Sequence, residues 1–221
     1  MNNNLILTFD LDWCNDEILS YVLDKLIPNK VPATFFVTHD TRLLHTIRKY
    51  DFFELGIHPN FNSGSSHGDN YKDVIDYCLH IVPEAISSRS HGLNISSNIL
   101  IYMMEKGIKI DSSIFMPDAK NIDNFYFSIN GLKILRCPYN WEDDYWFYQE
   151  GITKYRLSDI MELNSKILNF HPIYVHSSYD GTQYARNNIN TRPENMLDDI
   201  VYGFCNGLLN INNLKKFICI N

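Results

Sequence analysis

Short apolar runs alternate with segments of helical periodicity through the first half of the chain. The runs have the length of buried strands, and polar or turn-forming residues bound them. They lie at Leu5–Phe9, Ala33–Val37, Glu54–Ile57, Ile86–Arg89 and Ile108–Ile110. The intervening segments predict helices at Asp16–Ile27, Tyr71–Val82 and Ser96–Lys106. This alternation predicts βα units around a parallel sheet or an α/β barrel.

The second half of the chain departs from this rhythm. An Asn-Gly pair lies between alternating residues in FYFSINGLKILR and predicts a β-hairpin. A further apolar run, ILNF, predicts a strand that ends at His171. The Asn-rich stretch 177–196 predicts a long surface loop, and Pro193 opens a last helix that runs to about Gly203.

Composition narrows the class of protein. With 221 residues, 45% of them hydrophobic, the chain is long enough to bury one core, so residues 1–221 are predicted to form a single domain. The formal charge of −7 leaves no basic stripe that would neutralise phosphates, which argues against nucleic acid or an anionic membrane as a partner.

The N-terminal apolar run is too short for a signal peptide or a membrane span, so we expect a cytoplasmic protein. Its five cysteines are expected to be reduced.

Ionisable side chains follow each predicted strand. In chain order these are Asp10 and Asp12, His39 and Asp40, His58, Arg89 and His91, Asp111, and His171. In an α/β barrel the strand ends share one rim, so residues that are distant in sequence become neighbours. Carboxylates and imidazoles suit a divalent cation such as zinc, and three protein ligands with one open position describe a catalytic site. The pattern predicts metal-assisted hydrolysis of an amide or an ester.

Six stretches carry a resemblance to a known family. In order they are LTFDLDW, ATFFVTHD, FELGIHPNF, SRSHGL, IDSSIF and LNFHP. They resemble the polysaccharide deacetylase (NodB-homology, carbohydrate esterase family 4-like) family, and most closely its WbmS-like branch. The resemblance implies a distorted (β/α)7-type barrel and a metal-dependent hydrolase that removes an N- or O-acetyl group from a sugar. It further implies a sugar nucleotide or glycolipid intermediate of bacterial surface-polysaccharide synthesis as substrate, and Zn²⁺, or else Co²⁺, Ni²⁺ or Mn²⁺, as the metal.

The first and third motifs of the family suggest how the catalytic base is held. By resemblance Asp10 is the base and Asp12 a metal ligand, but Leu11 separates the two acids and leaves their roles exchangeable. On a regular strand both side chains would point to the same side. Arg89 matches the arginine that orients the base, and a charge-assisted pair would keep Asp10 ionised.

The second motif departs from the family pattern. His58 matches its first histidine, whereas Asn62 stands where the family has the second. Asparagine is a poor ligand for zinc compared with imidazole. We therefore predict Asp12, His58 and His67 as the metal ligands, because Gly64 and Gly68 allow the loop that carries His67 to fold back. The substitutes for His67 are His39 and His91.

The remaining site residues are also predicted by resemblance. His171 matches the histidine that protonates the leaving group, and Asp111 stands about where the family has the acid that orients it. The Gly92 N–H is expected to donate to the oxyanion, and His91 beside it is expected to contact either substrate or metal.

Aromatic residues near the middle of the chain resemble a carbohydrate-binding surface. Tyr139 and Trp141 would stack on sugar rings, and the acids at 142–144 would accept hydrogen bonds from hydroxyls. Two other functions remain open. The missing second histidine favours a degenerate carbohydrate-binding domain, and the same fold also suits a hydrolase of a cyclic or other small amide.

Overall fold

Strands and helices alternate along the chain. The computed structural model describes residues 4–117, 119–148, 156–163, 166–176 and 193–218. The strands are β1 Asn4–Asp10, β2 Ala33–Val37, β3 Phe53–Ile57, β4 Ser87–Ser88, β5 Ile110–Asp111, β6 Phe125–Ile129, β7 Leu132–Arg136, β8 Trp141–Glu142, β9 Ile167–Phe170 and β10 Asn210–Asn212. The helices are α1 Asp16–Leu26, α2 Leu43–Ile47, α3 Tyr71–Ile81, α4 Ser97–Glu105, α5 Asp143–Tyr148, α6 Leu157–Leu163, α7 Pro172–Val175 and α8 Pro193–Cys205.

The strands form one curled, half-barrel sheet in the order β6-β7-β5-β4-β3-β2-β1-β9-β8, and β10 pairs with β1. Neighbouring strands run parallel except for the β6-β7 hairpin. Its turn is the predicted Asn130-Gly131 pair, and both residues have positive φ, as a tight hairpin requires. The α/β class and a distorted, incompletely closed barrel are thus confirmed.

The central strands are buried along nearly their whole length. β2 and β3 are buried at every position, and β1 is buried from Leu5 onward, as expected for parallel strands covered on both faces. α1 begins after Asn15, whose side-chain oxygen accepts a hydrogen bond from the Ile18 N–H at 2.9 Å. Neither Asp10 nor Asp12 therefore caps α1.

Several boundaries differ from the sequence prediction. β4 and β5 are only two residues long, and β5 includes Asp111 rather than ending before it. The predicted last helix corresponds to α8, whereas residues 177–192 of the predicted surface loop lie outside the described part of the chain. Cys14, Cys78, Cys137 and Cys205 are free thiols, as expected. No helix in the described part of the chain has the length and apolar character needed to cross a bilayer.

Candidate active site

A cleft of about 400 Å³ opens at the carboxyl ends of the parallel strands. Its lining includes predicted residues from four separate parts of the chain: Asp10 and Asp12, His58, His91 and Gly92, and His171. β1 ends at Asp10, His58 follows β3, and His171 follows β9. The topology thus brings these side chains to one place, as expected for the ligand-binding edge of a parallel sheet.

Asp10 is held by a buried polar network. Its Oδ1 atom accepts a hydrogen bond from Arg89 Nη1 at 3.1 Å, and its Oδ2 atom accepts one from Asn169 Nδ2 at 2.9 Å. Arg89 Nη1 also donates to Thr8 Oγ1 at 2.8 Å. Thr8 and Asp10 lie on one face of β1, and Thr8 is in register with Asn169 of β9. The two strands therefore deliver the whole network to the same face of the sheet.

Arg89 is fully buried and restrained along its length. Its Nε and Nη2 atoms donate to the carbonyl and hydroxyl oxygens of Ser112, each at 3.0 Å. Its guanidinium carbon lies 4.6 Å from the ring centroid of Phe36 and 4.4 Å from that of Tyr139. This arrangement holds the guanidinium charge in place beside Asp10.

Asp12 lies between two histidines. Its Oδ2 atom is 2.8 Å from His58 Nε2 and 3.1 Å from His91 Nδ1. Burial alone would raise the pKa of Asp12, but the charge of His58 and the hydrogen bonds from both imidazoles outweigh it and hold that pKa well below its usual range. Asp12 is thus an ionised carboxylate that faces two ring nitrogens.

This trio has the chemistry of a metal site. The ligand atoms of Asp12, His58 and His91 lie within 4.8 Å of one another. The other ring nitrogen of His58, Nδ1, is buried without a hydrogen-bond partner among the described residues, 3.8 Å from Asp10 Oδ1. One carboxylate and two imidazoles that face an open cleft match the donor set of a catalytic zinc site. The residues therefore fit a divalent metal.

His67 is not brought together with Asp12 and His58. Its Nδ1 atom accepts a hydrogen bond from the Asn60 N–H at 3.1 Å, and its ring stacks on Tyr77 with centroids 4.9 Å apart. The loop that carries it does fold back, but it places the ring in protein contacts rather than at the cleft. His91 occupies the place beside His58 that the sequence assigned to His67. His39, the other substitute, faces Thr38.

His171 is paired with an acid that the sequence prediction did not assign to it. Its Nδ1 atom lies 2.7 Å from Asp143 Oδ1, and its backbone N–H donates to Asp143 Oδ2 at 2.8 Å. Burial opposes a charge on His171, but Asp143 and the neighbouring acids outweigh it and raise the pKa of His171 well above its usual value. Burial also raises the pKa of Asp143 to about 6. The pair thus retains a proton at neutral pH.

Asp111, the predicted partner of His171, lies elsewhere. It accepts a hydrogen bond from Arg136 Nε at 2.6 Å and from Ser113 Oγ at 2.7 Å. The strand-end pattern did contain a signal for Asp143, which directly follows β8. That strand is only two residues long, however, and cannot be recognised from apolar periodicity.

The two aromatic residues that were predicted to bind sugar lie in the core. Tyr139 is 1% exposed beneath Arg89, and Trp141 is 0% exposed and packs on Phe170 with ring centroids 4.8 Å apart. Neither ring offers a free face to a ligand. Glu142 from the same segment does line the cleft, and burial with the nearby Asp144 raises its pKa to about 7.

Comparisons with known proteins show the family and the fold of the chain. The family model described as WbmS-like polysaccharide deacetylase matches residues 7–188. A Bordetella bronchiseptica structure, assigned as a polysaccharide deacetylase involved in O-antigen biosynthesis, is 28% identical to this chain, with a TM-score of 0.74 over 91% of this chain and 90% of that one. No curated protein gives a significant match.

Two more distant structures share the fold. A protein from Mycobacterium smegmatis, also assigned as a polysaccharide deacetylase, is 15% identical, with a TM-score of 0.63 over 97% of this chain and 88% of that one. A carbohydrate esterase family 4 pseudoenzyme from Bacillus anthracis is 13% identical, with a TM-score of 0.56 over 97% of this chain and 65% of that one. Because a pseudoenzyme has the same fold, an argument for activity depends on the residues of the cleft.

Proposed function

Because the chain belongs to the WbmS-like polysaccharide deacetylase family, we propose that it is a metal-dependent hydrolase that removes an acetyl or related acyl group from a sugar. The observation that carries this proposal is the convergence of Asp12, His58 and His91 in the cleft that also contains Asp10 and His171. The relative from Bordetella bronchiseptica supports an intermediate of surface-polysaccharide synthesis as the substrate.

Asp12, His58 and His91 would hold the metal, most simply Zn²⁺. When bound, the cation polarises the acyl carbonyl and lowers the pKa of water. His91 rather than His67 is the third ligand in this assignment, because His91 lies within hydrogen-bond distance of the same Asp12 oxygen as His58.

The protein's own groups carry the proton transfers. Asp10, oriented by Arg89 and Asn169, takes a proton from the attacking water. Gly92 lines the cleft, and its N–H would donate to the oxygen that gains negative charge. His171, protonated through its contact with Asp143, gives its proton to the departing sugar nitrogen or oxygen as the bond to the acyl carbon breaks. The products are a carboxylic acid and the free amine or hydroxyl of the sugar.

Acetate release tests this function directly. Protein loaded with zinc, cobalt, nickel or manganese is incubated with acetylated sugars, acetylated sugar nucleotides and, for comparison, cyclic imides and ureides. We expect acetate from the sugars, and we expect chelation to abolish it. Glycan binding without hydrolysis, unchanged by chelation, would instead establish the binding-domain alternative that Asn62 favours. Hydrolysis confined to the cyclic compounds would assign the site to small amides.

Asp143→Asn is expected to move the alkaline limb of the pH profile of kcat/KM to lower pH. The Asp143 carboxylate raises the pKa of His171, so its loss lowers that pKa, and the proton needed by the leaving group is lost at a lower pH. The maximal rate should also fall by roughly tenfold or more. Initial rates between pH 5 and about 10 measure both effects.

Asp111→Asn is the matched control for this prediction. Asp111 is an equally buried acid, but it pairs with Arg136 rather than with His171. Its replacement should lower the free energy of unfolding by about 3 kcal/mol and leave the alkaline limb where it is. A shifted limb in Asp111→Asn, or an unshifted one in Asp143→Asn, would contradict the pairing of His171 with Asp143.

A further inference from the structure

Trp13 is a large aromatic side chain left open at the mouth of the cleft. It directly follows Asp12, and 65% of its surface is exposed, whereas Trp141 and Trp146 are buried. Its ring centroid lies 6.0 Å from that of His91 and 6.3 Å from that of His171. The indole therefore lies beside both a proposed metal ligand and the proposed general acid.

The backbone holds Trp13 in a conformation that bulky residues rarely adopt. Its φ is +50°, and Leu93, which also lines the cleft, has a φ of +58°. The other described non-glycine residues with positive φ are Lys30, Asn121 and Asn130. Left-handed backbone is common for asparagine but strained for a large side chain. Both bulky apolar residues with this conformation line the cleft; Leu93 also packs against the core, whereas Trp13 is mostly exposed, which indicates a role for Trp13 in the site.

Two other aromatic residues that line the cleft, Phe115 and Tyr145, are packed against neighbouring rings. The ring of Phe115 lies with its centroid 5.0 Å from that of Tyr145 and 5.0 Å from that of Tyr139. Trp13 makes edge or tilted contacts with the two histidine rings and remains mostly open to solvent. The cleft thus contains two packed aromatic rings and one exposed indole.

We propose that Trp13 is the platform on which the apolar face of the substrate's pyranose ring stacks. The inference rests on the proposed function and identifies the part of the substrate that Trp13 contacts. A pyranose presents C–H groups on its faces and hydroxyls around its edge, so a flat indole matches the face. The carboxyls of Asp10, Glu142 and Asp144 line the same cleft, where they suit the hydroxyls of a neutral sugar ring.

The test compares two substrates and three variants of the metal-loaded protein. The substrates are an N-acetylated methyl pyranoside and an acyclic acetate ester, which shares the reacting group but lacks the ring. The variants are Trp13→Ala, Trp13→Tyr and Tyr202→Ala; the last removes an equally exposed aromatic residue, 66% exposed, from α8. Metal content and the circular dichroism spectrum are measured for each protein.

Trp13→Ala should lower the ratio of kcat/KM for the pyranoside to kcat/KM for the ester by about five- to tenfold, through a higher KM for the pyranoside. Trp13→Tyr should restore most of this ratio, and Tyr202→Ala should leave it unchanged. An equal loss on both substrates, or a loss of metal, would mean that Trp13 only supports Asp12 and would overturn the proposal. An unchanged ratio would overturn it as well.

Calorimetric titration with the methyl pyranoside separates this inference from the proposed function. If the wild-type protein binds the sugar without hydrolysing it, and Trp13→Ala weakens that binding by the same factor, the platform is supported while the hydrolase is rejected. If the wild-type protein hydrolyses the sugar and Trp13→Ala has no effect on either measure, the hydrolase stands and the platform is rejected. A wild-type protein that neither binds nor hydrolyses any acetylated pyranoside overturns both.

Discussion

Replacement of Asp10 by asparagine is expected to lower kcat/KM for acetate release by about 10²–10⁴-fold, while the protein keeps its fold and its metal. Asparagine has the shape of aspartate but cannot accept a proton from water. The donors around this position, Arg89 and Asn169, still have one oxygen to bind. Acetate release measured across a range of sugar concentrations, together with metal content, checks this prediction.

Asp24→Asn is a suitable control because Asp24 is an exposed acid on α1, away from the cleft. It should leave both kcat/KM and metal content at wild-type values. If Asp10→Asn keeps full activity, Asp10 is not the base, and the exchange of roles with Asp12 becomes the explanation to test. If Asp10→Asn loses its metal, Asp10 is itself a metal ligand.

Removal of either histidine beside Asp12 is expected to abolish stoichiometric metal binding. His58→Ala and His91→Ala each delete one of three proposed protein ligands, and affinity should fall by at least about 100-fold, since loss of an outer-shell partner alone costs 10- to 100-fold. Metal per chain, measured by elemental analysis after dialysis against a weak chelator, should fall from about one to near zero. Acetate release should be lost in parallel.

His67→Ala tests whether His67 is a metal ligand, as the sequence predicts, or lies outside the metal site, as its contacts in the structure indicate. Its ring contacts Tyr77 and the Asn60 backbone, so the variant should lose some stability and still bind about one metal ion per chain. His45→Ala, which alters an exposed histidine on α2, controls for nonspecific binding to imidazole. If His91→Ala keeps its metal and His67→Ala loses it, His67 rather than His91 is the third metal ligand.

Much of the fold is readable from the chain because local patterns decide it. The fully buried strands β2 and β3 appear as short, mostly apolar runs, and the Asn130-Gly131 pair identifies the hairpin. β4, β5 and β8 contain two residues each and leave no periodic signal, so their boundaries were shifted or missed. Asp143, which follows β8, was missed as the partner of His171 for the same reason.

The sequence by itself determined where the ionisable side chains stand relative to the strands: Asp10 at the end of β1 with Asp12 just beyond it, His58 after β3, Arg89 after β4 and His171 after β9. Only the tertiary structure decided which side chains meet: His91 rather than His67 lies beside Asp12, and Asp143 rather than Asp111 beside His171. The positions of the strands follow from the burial of consecutive residues, and this burial leaves a recognisable pattern of apolar residues in the sequence. Contacts between loops depend on how the curled sheet arranges its strand ends in space, and separation along the chain does not encode that distance.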